Sequence, residues 1–155
     1  MTSTFSYTFP AIRGVQAGRE YYVSMCPLRL LPRLFVFDNE ELVPELRAQR
    51  SINLSRVPEI ARYIVANPES YTFSAITASV DGQVSFEPVG SGSTNAFRMG
   101  TLSIDMDARF VVNDGQHRRA AIEQALAAKP ELGDETIAVV FFHDRGLERC
   151  QQMFA

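Results

Sequence analysis

The feature that most constrains this chain is the run NDGQHRR at residues 113–119, which lies where a strand pattern meets a helical one. Residues 109–112 (RFVV) are typical of a strand, whereas residues 120–128 are typical of a helix. Asp114 is predicted to be the helix N-cap, because its carboxylate can accept hydrogen bonds from the free N–H groups of the first turn. Gly115 would allow the sharp turn between the two elements. The run therefore predicts a strand–turn–helix corner.

The start of the predicted helix is crowded with side chains that can carry positive charge. His117, Arg118 and Arg119 lie where the helix dipole already places positive partial charge. An anion bound at the helix N-terminus would offset this charge, and such termini bind phosphate readily. The first-turn N–H groups and nearby polar side chains suit phosphate oxygens. We therefore predict a phosphate- or nucleotide-binding site formed by Asp114, Gly115, Gln116, His117 and Arg118.

The neighbouring cations of this run are predicted to have different roles. Arg118 is four residues before Ile122, so it should follow the buried face, where a guanidinium needs a carboxylate or a ligand phosphate. Its alternative structural partners are Asp105, Asp107 and Asp114. Arg119 is four residues before Glu123, and a surface ion pair there would contribute a few tenths of a kcal/mol, about the usual value. For His117 two roles stay open: it is either a donor to a phosphate or a capped histidine of the core.

Composition indicates one ordinary globular domain. The chain has 155 residues, of which 46% are hydrophobic and 21% charged, so it can bury a core without a disulfide or metal. Cys26 and Cys150 lack metal-ligand spacing and are interpreted as buried or incidental thiols. No Ser/His/Asp set or GxxxxGK[ST] loop is present, so no catalytic residue or metal site is predicted. No signal peptide or membrane-spanning run is visible, which predicts a cytoplasmic protein without a membrane partner.

The order of patterns along the chain predicts an α+β fold, with a mixed sheet and helices packed on it. Residues 1–18 read as an irregular arm. Strands are predicted at Arg19–Pro27 and at residues 71–80, 83–88, 99–106, 109–113 and 135–142. Helices are predicted at residues 39–49, 55–66, 116–128 and 144–155. Asp81 and Gly82 are predicted to close a hairpin, residues 28–37 stay undecided, and residues 89–98 read as a flexible loop.

Two of these helical patterns carry further predictions. In the second helix, the stripe Val57, Ile60, Ala61, Ile64 and Val65 should face the core. The last pattern reaches Ala155 without a cap, which suggests that the domain at residues 19–155 is truncated and belongs to a longer protein. A further polar pair, His143 and Asp144, is interpreted as structural.

Residues 112–121 (VNDGQHRRAA) resemble the signature of DGQHR-domain proteins, and in particular of the DndB family. Flanking runs are also similar to that family, at residues 9–14, 58–64, 73–80 and 152–155. The resemblance implies a ParB/sulfiredoxin-like fold, in which a corner of this kind binds nucleotide phosphates. The sulfiredoxin corner has its catalytic cysteine where this chain has Gln116, so reductase chemistry is not expected.

The DndB resemblance further implies a regulator of bacterial DNA phosphorothioate (sulfur) modification genes that binds their promoter DNA. Net charge is −3, yet residues 1–62 carry eight arginines against six acids. Secondary DNA contacts are predicted at Arg119, Arg47, Arg50, Arg56 and Arg62. The alternatives are a nucleoside triphosphatase or nuclease that uses the same corner, with a nucleoside triphosphate as its ligand, and a protein-interaction scaffold. A homo-oligomer stays open.

Overall fold

A computed structural model describes residues 5–35, 56–92 and 94–147 of the chain. Its seven strands are β1 (Ser6–Gln16), β2 (Arg19–Pro27), β3 (Ile76–Asp81), β4 (Val84–Pro88), β5 (Met99–Asp105), β6 (Arg109–Asp114) and β7 (Thr136–His143). Its α-helices are α1 (Leu31–Leu34), α2 (Arg56–Ala66), α3 (Thr94–Arg98) and α4 (Gln116–Ala128). Short 3₁₀ segments occupy Leu28–Leu30, Pro130–Asp134 and Arg145–Leu147.

All seven strands form one mixed sheet in the order β4-β5-β1-β2-β7-β3-β6. Neighbouring strands are antiparallel except β3 and β7, which run parallel. The mixed sheet with its helices confirms the predicted α+β fold. The predicted helix at residues 116–128 is confirmed with those bounds, and so is the strand Arg19–Pro27.

The first strand corrects the predicted irregular arm. Residues 6–16 lie inside the sheet, between β2 and β5. Phe9 and Ala11 are buried while Thr8 and Pro10 are exposed, which is the period-two alternation of a half-buried strand. Pro10 and Gly14 concealed this alternation, because both residues are usually signs of a loop.

The predicted hairpin at Asp81 and Gly82 is wrong. β3 pairs with β6 and β7, so both of its edges are occupied, and β4 pairs with β5 instead. Asp81 contacts other segments: its carboxylate pairs with Arg109 and accepts the N–H of Gly146 at 3.0 Å. A local turn signal was therefore overridden by pairing between strands distant in sequence.

Several smaller differences concern element bounds. The predicted strand at 71–80 begins only at Ile76, and the predicted loop at 89–98 contains α3. The undecided stretch after Pro27 is a 3₁₀ segment followed by α1. The predicted helix at 39–49 and residues 148–155 of the last helix lie outside the described residues.

The core lies on one face of the sheet, where α2 and α4 pack together. In α4 the buried apolar side chains are Ala121, Ile122 and Ala125, and in α2 they are Ala61 and Ile64. The predicted stripe of α2 is thus partly confirmed, since Val65 is exposed. The core anchors α4 against the sheet and so fixes where the helix begins.

Candidate functional site

The corner is built around a left-handed glycine. β6 ends at Asp114, Gly115 has φ 106° and ψ 21°, and α4 begins at Gln116. A Cβ atom on residue 115 would lie 2.9 Å from Nη2 of Arg118 and 3.0 Å from Cγ1 of Ile76. Only glycine meets both the backbone conformation and the close approach without strain.

The predicted N-cap is wrong. Gly115 occupies the cap position, and among the described residues no side chain caps α4. Asp114 pairs with Thr77 as the last residue of β6, and its side chain is 78% exposed. The helix therefore begins with N–H groups that no capping side chain satisfies, in a first turn without acidic residues.

Arg118 lies under the corner and is only partly satisfied. Its Nη2 donates to the carbonyl oxygen of Ala75 at 2.9 Å, and it lies 3.8 Å from Oδ2 of Asp114. The Nε of Arg118 is buried and has no hydrogen-bond partner among the described residues. Because an unpaired buried donor is costly, this atom is the strongest local indication that the corner can bind a ligand with a hydrogen-bond acceptor.

Arg119 forms the predicted pair with Glu123, at 2.8 Å, and this prediction is confirmed. The pair is less exposed than predicted, since Arg119 is only 9% exposed. Its guanidinium is paired with a neighbour on its own helix, and the DNA contact of Arg119 stays a prediction.

The other corner side chains bind the strand end and the helix together. Gln116 donates through Nε2 to the carbonyl oxygen of Val112 at 3.3 Å, and His117 is half-buried beside it. Asn113 is buried and donates to Oγ of Ser79 at 2.9 Å, which ties β6 to β3. Sequence reasoning missed the contributions of Ser79 and of the Ala75 carbonyl, because both come from a segment about 40 residues away and carry no motif.

The remaining predicted arginines are only partly described. Arg56 and Arg62 are exposed on α2, which packs against α4. Arg47 and Arg50 lie outside the described residues. The structure thus places two of these cations on the helix that neighbours the corner.

Two other polar groups have structural environments. His143 and the carbonyl oxygen of Gly82 are joined by a 2.8 Å hydrogen bond through Nε2, and Asp144 is buried after β7. Burial would raise the pKa of Asp81, but its hydrogen bonds from Arg109 and Gly146 outweigh this and lower the pKa below the ordinary value. Burial raises the pKa of the Cys26 thiol to about 12.

Two further features of the described residues concern metal binding and membrane insertion. Within residues 5–35, 56–92 and 94–147, no group of three or more His, Cys, Asp or Glu side chains could hold a metal ion. None of the described helices has the length and apolar character needed to cross a bilayer.

These features define an α+β protein with a glycine-turned, cationic helix start at one edge of a mixed sheet. The family model for DndB, described as DNA-sulfur modification-associated, matches residues 9–155. The chain therefore belongs to the DndB family, as its resemblance predicted, and that membership connects it with DNA sulfur modification. No curated protein and no solved structure matches the chain.

Proposed function

We propose that this chain is a DNA-binding transcriptional regulator of the bacterial phosphorothioate modification system, with a phosphate bound at the corner. Membership of a family associated with DNA sulfur modification supports the biological setting. The single observation that carries the phosphate site is the buried Nε of Arg118, which lies beneath a glycine-turned helix start and has no hydrogen-bond partner among the described residues.

The Arg118 guanidinium can serve an anion without giving up its structural bond. Nη2 is used by the Ala75 carbonyl, which orients the planar group, whereas the single N–H of Nε has no hydrogen-bond partner among the described residues. A phosphate oxygen at this position would also accept hydrogen bonds from first-turn N–H groups of α4. Gln116 and His117 flank the same turn and complete the proposed phosphate-binding set, while Asp114 remains at its edge.

Arg56 and Arg62 are proposed as secondary contacts with the DNA backbone. Both are exposed on α2, and α2 packs beside α4, so a duplex that reaches the corner can also meet these charges. The same role for Arg47 and Arg50 stays a prediction from the sequence, as does the ParB/sulfiredoxin-like assignment of the fold.

The phosphate could belong to a DNA backbone or to a free nucleoside triphosphate, and one titration series separates them. Fluorescence anisotropy would measure binding of the promoter duplex of the modification genes, at 50 to 200 mM salt, with and without ATP, CTP or GTP. We expect a steep loss of affinity with salt. Competition by a nucleotide would assign the corner to that nucleotide.

Arg118→Ala is the decisive variant. It should weaken duplex binding by about 10-fold and reduce the salt slope by about 1, because one charge-assisted phosphate contact is lost. Arg19→Ala is the matched control, since Arg19 is exposed on β2, three strands away from β6. Equal affinities for Arg118→Ala and wild type, or an affinity that does not change with salt, would contradict the proposal.

Hydrolysis of nucleoside triphosphates can be measured on the same purified protein. Phosphate release from ATP, CTP or GTP with magnesium, lost in Arg118→Ala, would favour the nucleoside triphosphatase alternative. If Arg118→Ala lowers the melting temperature but leaves DNA affinity unchanged, the corner is structural and the scaffold hypothesis is favoured.

A further inference from the structure

A groove of about 700 Å³ lies between α3 and the hairpin of β1 and β2. Its volume is in the range of small-molecule sites and suits a single nucleotide. It is distant from the corner, because β1 is four strands from β6 in the sheet. The groove is therefore a second candidate ligand site, and it is independent of Arg118.

One wall of the groove is the exposed aromatic ring of Phe97, which packs on Arg13. Phe97 is 50% exposed, and the guanidinium carbon of Arg13 lies 4.0 Å from its ring centroid. Nη2 of Arg13 also donates to the carbonyl oxygen of Phe97 at 2.8 Å, and the guanidinium packs on Phe86 at 4.6 Å. These contacts order Phe97, while half of its surface stays available for stacking.

A second ring lies close by on the hairpin. Tyr21 pairs with Gly14 across β1 and β2, and a Cβ atom at residue 14 would lie only 2.7 Å from the ring. The same ring is stacked on Phe142, with centroids 5.7 Å apart and an interplanar angle of 24°. Gly14 thus leaves the room in which Tyr21 can lie over the strand and line the groove.

The charge of the groove favours an anionic ligand. Arg13 lies 3.9 Å from Glu20, so that carboxylate is already partly neutralised. Arg98 is exposed at the rim and forms no ion pair with any residue that the structure describes. Exposed rings next to an available arginine are the combination by which proteins bind unpaired nucleotides: bases stack on the rings and the arginine contacts phosphate.

We propose that this groove binds an unpaired nucleotide of single-stranded DNA, with its base stacked on Phe97 and its phosphate in contact with Arg98. Tyr21 lines another part of the same groove. The proposal shares with the proposed function the premise of DNA as a partner, but it depends on different residues. The two proposals can therefore fail separately.

The test compares a 12-residue thymidine oligonucleotide with an abasic oligonucleotide of equal length, by fluorescence anisotropy with the whole chain. Wild type should bind the base-bearing strand about 10-fold more tightly, since each stacked base strengthens binding. Phe97→Leu should remove this preference while keeping an apolar side chain on Arg13. Arg98→Ala should weaken both strands and reduce the salt slope by about 0.7.

Arg118→Ala is the matched variant that separates the two sites, because it should retain the preference for bases. Equal wild-type affinity for the two strands, or a preference that survives in Phe97→Leu, would overturn the proposal whatever the duplex experiments give.

Discussion

The corner and the groove use arginine in opposite ways. At the corner, Arg118 lies under the helix start with its Nε buried and without a partner among the described residues. In the groove, Arg13 is satisfied by two rings, a carbonyl oxygen and a carboxylate, and the exposed cation is its neighbour Arg98. The first arrangement leaves a donor for a ligand, whereas the second holds an aromatic ring for one.

This difference shows that exposure alone does not identify an arginine that binds a ligand. Arg118 is 22% exposed in its side chain, yet it is the stronger ligand candidate because a buried donor needs an acceptor. Arg119 is next to it in sequence, but its guanidinium is paired with Glu123. The partner list of each guanidinium therefore decides its role better than its position in a motif.

The largest expected effect distinguishes the glycines of the two regions. Gly115→Ala should lower the free energy of unfolding by about 3 kcal/mol, because φ at this position is in the left-handed region and the added Cβ meets Ile76. Gly14→Ala should cost only about 1 kcal/mol, since its neighbour is the Tyr21 side chain, which can move. Urea denaturation of both variants measures the difference.

Binding provides the reverse comparison for the same variants. Gly14→Ala displaces Tyr21 and should reduce the preference for base-bearing single strands, but it should leave duplex affinity intact. If Gly14→Ala proved the more destabilising of the two, the rigid role assigned to the corner backbone would be wrong.

A double-mutant cycle tests whether the two regions are independent. The losses of DNA binding free energy from Arg118→Ala and Phe97→Leu should add within about 0.5 kcal/mol, because the sites share no contacts and lie four strands apart in the sheet. Anisotropy with a duplex that carries a single-stranded extension measures all four proteins. A coupling energy above about 1 kcal/mol would indicate one continuous site in place of two.

The smallest expected effect concerns the two ends of the β3–β6 pair, at Asp81 of β3 and at Asp114 of β6. The pKa of Asp81 is lower in the folded chain than its ordinary value of 3.8, so its ionised form stabilises the fold above that pH. This contribution should be lost as pH falls below 3.8 and through the folded pKa, and Asp81→Asn should flatten that part of the stability profile. Denaturation at several pH values between about 2 and 7 measures it.

Asp114→Asn is the matched control at the other end of this strand pair. Its carboxylate is 78% exposed and 3.8 Å from Arg118, so the substitution should change stability little. A profile that Asp114→Asn flattens as much as Asp81→Asn does would contradict the assignment of the acid-sensitive ion pair to Asp81 and Arg109.

Much of the corner could be predicted because its signals are local. A strand pattern, a glycine and a helix pattern follow each other within 20 residues, and α4 begins at Gln116 as predicted. The pair of Arg119 with Glu123 followed from helix periodicity alone. The N-cap prediction failed for a reason that is not local, since Asp114 completes the ladder with Thr77 of a distant strand and leaves the cap position to Gly115.

The groove could not be predicted, because no stretch of sequence contains it. Arg13, Tyr21 and Phe97 come from three elements, and Phe97 lies in a stretch that composition alone assigned to a flexible loop. The wrong hairpin has the same origin, since only the complete sheet shows that both edges of β3 are occupied.

The fold class, the family resemblance and the cationic helix start could be predicted from the sequence, since each depends on periodicity or on adjacent residues. Tertiary contacts were needed to see that the Nε of Arg118 has no partner among the described residues while its Nη2 bonds to the carbonyl of Ala75, 43 residues away. Only the tertiary structure brought Phe97 onto Arg13, 84 residues apart in the chain. Hydrogen bonds and ring contacts of this range depend on how the strands pair, and that pairing is settled by the packing of the whole sheet.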